Sequence, residues 1–410
     1  MQQFIEPPLS GMMWQDATVT YPQGFQAYAA AAGLIAGRHD MACLWSVVPA
    51  VFSGLFTTNQ AAAAPITVTK QVAAKGWCQA IIINAGNANA VTGQGGLQDA
   101  YTMQQYMADH LGVASEQVAV ASTGVIGVPL PMDQVQQGMS QLVDAWQQQH
   151  SDGVKASEAI LTTDREPKTL ACDVTLSSGV VRIGMMAKGS GMIHPQMATM
   201  LAFFTTDAAI EKSILDELMR QAVSRSFLRV SVDGDPSTND MAVILANGQS
   251  GVHVGTPEDI EQFGKALAHL ARQGARMIAH DGEGATRLIT VRVRGAATEE
   301  DAALKARTAV RSNLVKAAVY GGDPNWGRVI ASVGSVGLPF DLSAVSLWIG
   351  TVLVLEGGLP VPMAEDQAHN ELEADEVVMD VLIGNGPGFA EAWGCDLTEQ
   401  YVEINAHYRT

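Results

Sequence analysis

The chain has 410 residues, 47% of them apolar and only 16% charged, which is material for two or three core-sized units. Acidic residues outnumber basic ones 42 to 24, for a formal net charge of −18. A field of that sign repels phosphate backbones and anionic lipid, which argues against nucleic-acid binding and polybasic membrane attachment and makes any anionic substrate depend on local cations.

The opening residues MQQFIEPPLSGMMW lack the basic start and apolar core of a signal peptide, and residues 25–36 are too few and too rich in Gly and Ala to span a bilayer. Cys43, Cys78, Cys172 and Cys395 are widely spaced, with no CxxC pair, and read as reduced thiols of a soluble, cytoplasmic protein. The first 75 residues mix short apolar runs, such as 44–52, with turns. Residues 79–83 suit a buried strand, and the Asn84, Gly86, Asn87, Asn89, Gly93, Gly95 and Gly96 that follow suit an irregular polar loop.

Ala100, Met103, Met107 and Leu111 recur at helical spacing, and 117–121 reads as another strand. That strand runs into Ser122, Thr123 and Gly124, a small-residue turn whose backbone amides could point at one place. By composition alone the simpler reading is an ordinary strand-to-helix connection. Residues 131–149 form an amphipathic helix through Val135, Met139, Leu142, Val143 and Trp146. Extended segments at 169–176 and 180–186, joined by Ser177, Ser178 and Gly179, predict a hairpin that delivers Lys188 to the next loop.

That loop opens the stretch KGSGMIHPQMATMLAFFTTD, residues 188–207. Gly189 and Gly191 permit unusual backbone geometry, and Thr199 heads the apolar run 200–204. Attack of the Thr199 hydroxyl on the Ala198 carbonyl would turn the amide into an ester, and hydrolysis would leave Thr199 as a new N-terminus. The freed α-amine, with an unperturbed pKa of about 7.7–8.0, is suited to act as base near neutral pH. On the local residues alone, the simpler reading of Thr199 is an ordinary strand residue.

Further along, Ile210, Ile214, Leu218, Ala222 and Val223 outline a helix. Thr256 with Pro257 and Thr298 with Asp301 mark two helix starts. Residues 287–294 alternate as a strand with one buried face, and 329–333, 345–355 and 376–383 are further strand candidates. The mixture predicts a layered α+β fold. Residues 384–388, GNGPG, are a weak nucleotide-loop signal, because proline interrupts them and no ribose-binding acid follows at the needed spacing. No HExxH is present and the nine histidines are scattered, so neither metal nor cofactor is expected.

Three Gly/Asp blocks, VDGDPSTND from Val232, HDGEGAT from His280 and GGDPNWGR from Gly321, stand beside the Thr199 stretch and the final CDLTEQYVEINAHYRT. Together they resemble the ornithine acetyltransferases, or glutamate N-acetyltransferases, in the same order and over nearly the whole chain. The resemblance implies an αββα sandwich, layered like the N-terminal-nucleophile hydrolases but differently connected. It also implies self-cleavage between Ala198 and Thr199 into chains 1–198 and 199–410, two of each forming a heterotetramer.

It further implies Thr199 as nucleophile, Thr123 and Gly124 as oxyanion-hole donors, and Thr162, Lys188, Thr199, Glu283, Asn405 and Thr410 as substrate contacts. The implied reaction is ping-pong transfer of acetyl from N-acetylornithine to glutamate, with acetyl-CoA left open as a second donor. His194, where many relatives carry a small residue, is expected to shape the loop and not to act as a base. The competing readings are a self-processing aminopeptidase of the same fold, whose relatives typically carry serine where this chain has Thr199, and an uncleaved small-molecule binder.

Overall fold

The computed structural model describes residues 5–194 and 200–408. In chain order its elements are β1 (Met12–Gln15), β2 (Phe25–Ala30), β3 (Met41–Phe56), α1 (Ala64–Lys75), β4 (Trp77–Asn84), α2 (Gly93–Leu111), β5 (Val118–Ser122), α3 (Met132–Gln147), α4 (Gly153–Ala159), β6 (Lys168–Leu176), β7 (Gly179–Lys188), β8 (Leu201–Thr206) and α5 (Lys212–Ser224). Then come β9 (Val230–Ser231), β10 (Met241–Ala246), α6 (Pro257–His280), β11 (Leu288–Ala296), α7 (Glu299–Arg311), α8 (Asn313–Tyr320), α9 (Trp326–Gly334), β12 (Ser346–Ile349), β13 (Val352–Glu356), β14 (Leu359–Pro360), α10 (Ala364–Glu371), β15 (Glu376–Leu382), β16 (Gly388–Cys395) and α11 (Glu399–Ala406).

These elements build two compact units. Within the described residues the first holds 5–189, 200–224 and 236–274, and the second 190–194, 225–235 and 275–408. The class is α+β, as the sequence predicts.

The first unit is built on a nine-stranded sheet in the order β1-β6-β7-β8-β10-β3-β4-β5, with β2 paired to β3. Side chains alternate across a strand, and here both faces are apolar. Ile81, Ile83, Ala119 and Ala121 enter one core cluster with Phe203, Val243 and Ile66 of α1. Ala80, Ile82, Val118 and Val120 enter the other with Met103 and Met107 of α2 and Val135 and Met139 of α3. Burying an aliphatic side chain of this size contributes about 1.5–3 kcal/mol, so this sheet is a rigid base for the loops at its strand ends. The predicted hairpin forms: β6 and β7 pair antiparallel, with Leu176 opposite Gly179 and Lys168 opposite Ala187.

The second unit carries a seven-stranded sheet in the order β14-β13-β12-β15-β11-β16-β9. Ile289, Val291 and Val293 of β11 pack into its core against Ala302, Ala306 and Ala309 of α7. The predicted start of α7 is observed, with the Thr298 hydroxyl oxygen accepting the Asp301 N–H at 3.1 Å ahead of three acidic first-turn residues.

Four expectations are corrected. Residues 329–333 belong to helix α9; Val329 and Val333 are its two fully buried residues, four apart, so the period is helical although the composition is β-prone. Residues 345–355 form two strands folded back on each other, the chain reversing at Gly350 with φ +57°. The glycines at 93–96 open helix α2 instead of ending a loop. Gly96 is required there, since a Cβ would overlap the Thr92 and Asn89 side chains. The first 75 residues hold more than apolar runs and turns, since they include α1, with Pro65 in its first turn and Gly76 closing it in the left-handed conformation as its usual punctuation.

The GNGPG segment is structural: Cβ atoms at Gly386 and Gly388 would collide with the backbone of Ala296 and Thr298. All four cysteines are buried thiols. Among the described residues no helix is long and apolar enough to cross a membrane.

Candidate active site

In the first unit the site grows from the hairpin register. Because Lys168 at the start of β6 faces Ala187, the segment leading into β6, residues 162–164, comes beside Lys188, the last residue of β7, and Gly189 after it. Lys188 is 2% exposed, and its ammonium donates to Thr162 Oγ1 at 2.7 Å and to Thr123 Oγ1 at 3.4 Å, with Asp164 Oδ2 at 3.5 Å. Asp164 Oδ1 accepts from the Lys168 ammonium at 2.5 Å and from the Gly189 N–H at 2.6 Å, while Oδ2 accepts the Thr162 N–H at 3.1 Å.

Burial alone would raise the Asp164 carboxyl. The two lysines and the Gly189 N–H outweigh it and hold the group far below the usual carboxylate range. Two ammonium groups thus meet one carboxylate in a buried setting, which favours an added anionic or electron-rich ligand atom.

Thr123 and Gly124 sit at the C-terminal end of β5, in a turn locked by neighbouring asparagines. The Ser122 hydroxyl donates to Asn84 Oδ1 at 2.6 Å, Asn84 Nδ2 donates to the Asn87 carbonyl at 2.9 Å, and Asn239 Nδ2 donates to the carbonyls of Ala88 and Ser122 at 2.6 and 2.8 Å. Gly124 has φ +134°, and a Cβ there would collide with the backbone of Gly86 and Asn87. One expectation needs adjusting: the Thr123 amide does not converge with its neighbours but donates to the Asn84 carbonyl at 3.0 Å. The hydroxyl is therefore the donor Thr123 can offer.

In the second unit Glu283 is 6% exposed and accepts from Asn405 Nδ2 at 2.7 Å, while its N–H donates to the Ser190 carbonyl at 3.3 Å. Gly191 is glycine for a packing reason, since a Cβ there would overlap the Glu283 carboxylate. The Ser190 hydroxyl donates to the Asp281 carbonyl at 2.6 Å. Asp233 takes the Met192 and Ile193 N–H groups at 2.6 and 3.0 Å, so one side chain fixes this short loop.

Burial pushes the Asp233 carboxyl up to about 6 despite the backbone N–H groups of Asp235 and Met192, with the negative charges of Asp235 and Glu283 adding to the rise. Burial, Asp233 and Glu283 in turn raise the Tyr401 hydroxyl well above its ordinary value. A cationic group placed here would relieve this crowding of negative charge. His194 lies 3.2 Å from Ser231 Oγ and is depressed to about 4 by burial and by Arg311 and Arg307, which keeps the ring neutral at working pH.

Of the site residues named from the sequence, the structure groups Thr123, Gly124, Thr162 and Lys188 in the first unit and Glu283 with Asn405 in the second. Ala198, Thr199 and Thr410 lie outside the described residues. Sequence reasoning gave no role to Asp164, Lys168 or Asp233. The first two are legible only once the hairpin register is known, whereas Asp233, next to Gly234 in a turn block, carries the usual mark of a side chain that accepts backbone N–H groups.

Residues 26–410 match the model of the ArgJ family. The chain belongs to that family. The ArgJ relatives include an arginine biosynthesis bifunctional protein ArgJ from Symbiobacterium thermophilum, 48% identical over 404 residues that cover 97% of this chain and 100% of the relative. Proteins of the same name from Geobacillus kaustophilus and Bacillus anthracis are 46% and 44% identical, covering 96% and 97% of this chain and 97% and 98% of theirs. Among solved structures, an ArgJ from Bacillus halodurans is 42% identical with a TM-score of 0.49, covering 50% of this chain and 97% of its own. An ornithine acetyltransferase from Mycobacterium tuberculosis, complexed with ornithine, is 34% identical with a TM-score of 0.41, covering 46% and 100%.

Proposed function

We propose that this ArgJ-family chain transfers the acetyl group of N-acetylornithine to glutamate through an acetyl ester on Thr199. The observation that carries the proposal is the buried Lys188 ammonium, anchored by the Thr123 and Thr162 hydroxyls and by Asp164. In the reaction Thr199 Oγ attacks the acetyl carbonyl, and the oxyanion is held by the Thr123 hydroxyl and the Gly124 N–H. The C–N bond breaks, and ornithine leaves with its amine protonated. The amine of glutamate then attacks the ester, N-acetylglutamate departs and the hydroxyl is restored.

The α-amine of Thr199, freed by cleavage after Ala198, carries the proton in both halves. Cleavage would give chains 1–198 and 199–410, assembled as two of each. Lys188 suits the substrate carboxylate, Glu283 with Asn405 suits the free ammonium of ornithine, and Thr410 is the remaining proposed contact. The name of the relatives, bifunctional proteins of arginine biosynthesis, fits a second acetyl donor, for which acetyl-CoA is the natural candidate. We place the reaction in the cytoplasm.

The test is acetyl transfer to glutamate from N-acetylornithine and from acetyl-CoA, with Lys188→Met beside the parent. Parent enzyme should form N-acetylglutamate from N-acetylornithine. The variant should lose about 10- to 150-fold in kcat/KM, the value of a charge-assisted hydrogen bond of roughly 1.5–3 kcal/mol. Release of acetate in place of acetylated glutamate would overturn the proposal in favour of a hydrolase.

A further inference from the structure

Asp240 ends the block that begins at Val232 and stands immediately before β10, fully buried. It and its neighbour grip residue 200 from both sides. Asp240 Oδ1 accepts the Met200 N–H at 3.2 Å, and the Met241 N–H donates to the Met200 carbonyl at 3.1 Å. The parallel ladder of β8 and β10 begins one residue later, with Met241 opposite Leu201, so Met200 lies just outside the regular pairing. A side chain supplies the acceptor there that the strand partner does not.

Asp240 is itself fixed, since the Thr57 N–H donates to its carbonyl at 3.0 Å and Met241 pairs with Phe56 on the other side. Burial pushes this carboxyl well above the usual range, ahead of the opposing Met200 N–H, the Ser237 and Thr57 hydroxyls and Lys188, and so favours the neutral acid. A neutral buried group needs no counter-ion to hold a backbone amide.

A peptide group is planar, so holding the Met200 N–H also orients the peptide through which residue 199 is joined to it. We propose that Asp240 is a positioning residue for the acyl-transfer reaction, acting through the Met200 N–H that it holds. The inference rests on the reading of Thr199 as nucleophile.

Asp240→Asn keeps a neutral oxygen that can accept the amide, whereas Asp240→Ala removes it. The alanine variant should lose about 10- to 100-fold in kcat at nearly unchanged KM for N-acetylornithine, with faster hydrogen exchange at the Met200 amide. The asparagine variant should recover most of both. An alanine variant with parental kcat would overturn the proposal. So would an asparagine variant that protects the amide yet is as slow as alanine, because the carboxyl would then be moving a proton and not positioning. The nucleophile reading fails separately, in the parent alone, if acetyl donor leaves no covalent acetyl group on the residue 199 peptide.

Discussion

A lysine as buried as Lys188 is costly unless its charge is met, and Thr162, Thr123 and Asp164 meet it. The arrangement holds cationic character inside a chain of net charge −18, which a negatively charged substrate requires. His194 shows the opposite solution. It sheds its charge, with the ring depressed from 6.5 to about 4 by burial, Arg311 and Arg307. Between those values the unfolded chain binds a proton that the native chain does not, so this residue's contribution to stability is present above pH 6.5 and is lost as pH falls through 4.

Asp233 acts in the other sense. Raised from 3.8 to about 6, its contribution is full below 3.8 and is lost as pH rises through 6. The informative quantity is therefore the difference between parent and His194→Gln. Denaturant melts should show the variant losing stability less steeply than the parent from pH 6.5 down to 4. Parallel curves would contradict a depressed histidine, and a variant that still forms two chains but loses turnover would give His194 a catalytic role.

At the scale of elements, the turns decide more than the strands. Gly124 combines φ +134° with backbone contact on Gly86 and Asn87, so Gly124→Ala must displace the turn that carries Thr123. It should lower kcat by at least about 100-fold, comparable to losing an oxyanion donor. Gly95→Ala, in open space early in α2, should leave kcat unchanged and raise stability by about 0.5–1 kcal/mol, read by thermal melting. An active Gly124→Ala enzyme would show that the turn does not place a catalytic group.

Elements with clean periodicity, such as the β6–β7 hairpin and α3, were legible in the sequence because one face is uniformly apolar. Helix α9 was not, since valines spaced four apart read as strand when composition is weighed above period. Of the candidate site, single residues in glycine-flanked blocks could be named in advance. Their partners could not: Asp164 meets Lys188 only through strand register, and Asp240 meets Met200 only because β8 and β10 are parallel.

For the whole molecule, membership in the ArgJ family was readable because the motif blocks recur in order along nearly the full chain. The borders of the two compact units were not, because each unit takes segments from both sides of residues 195–199 and no linker composition marks them. Two chains divided at 198 and 199 would therefore each contribute to both units, which predicts that the fragments stay associated after cleavage.

The most direct measurement is the intact mass of the purified protein under denaturing conditions, taken beside its acetyl-transfer rate. Two polypeptides that sum to the chain plus one water, the second beginning at Thr199, are predicted. A single species near 43.3 kDa with full transfer activity would contradict the account.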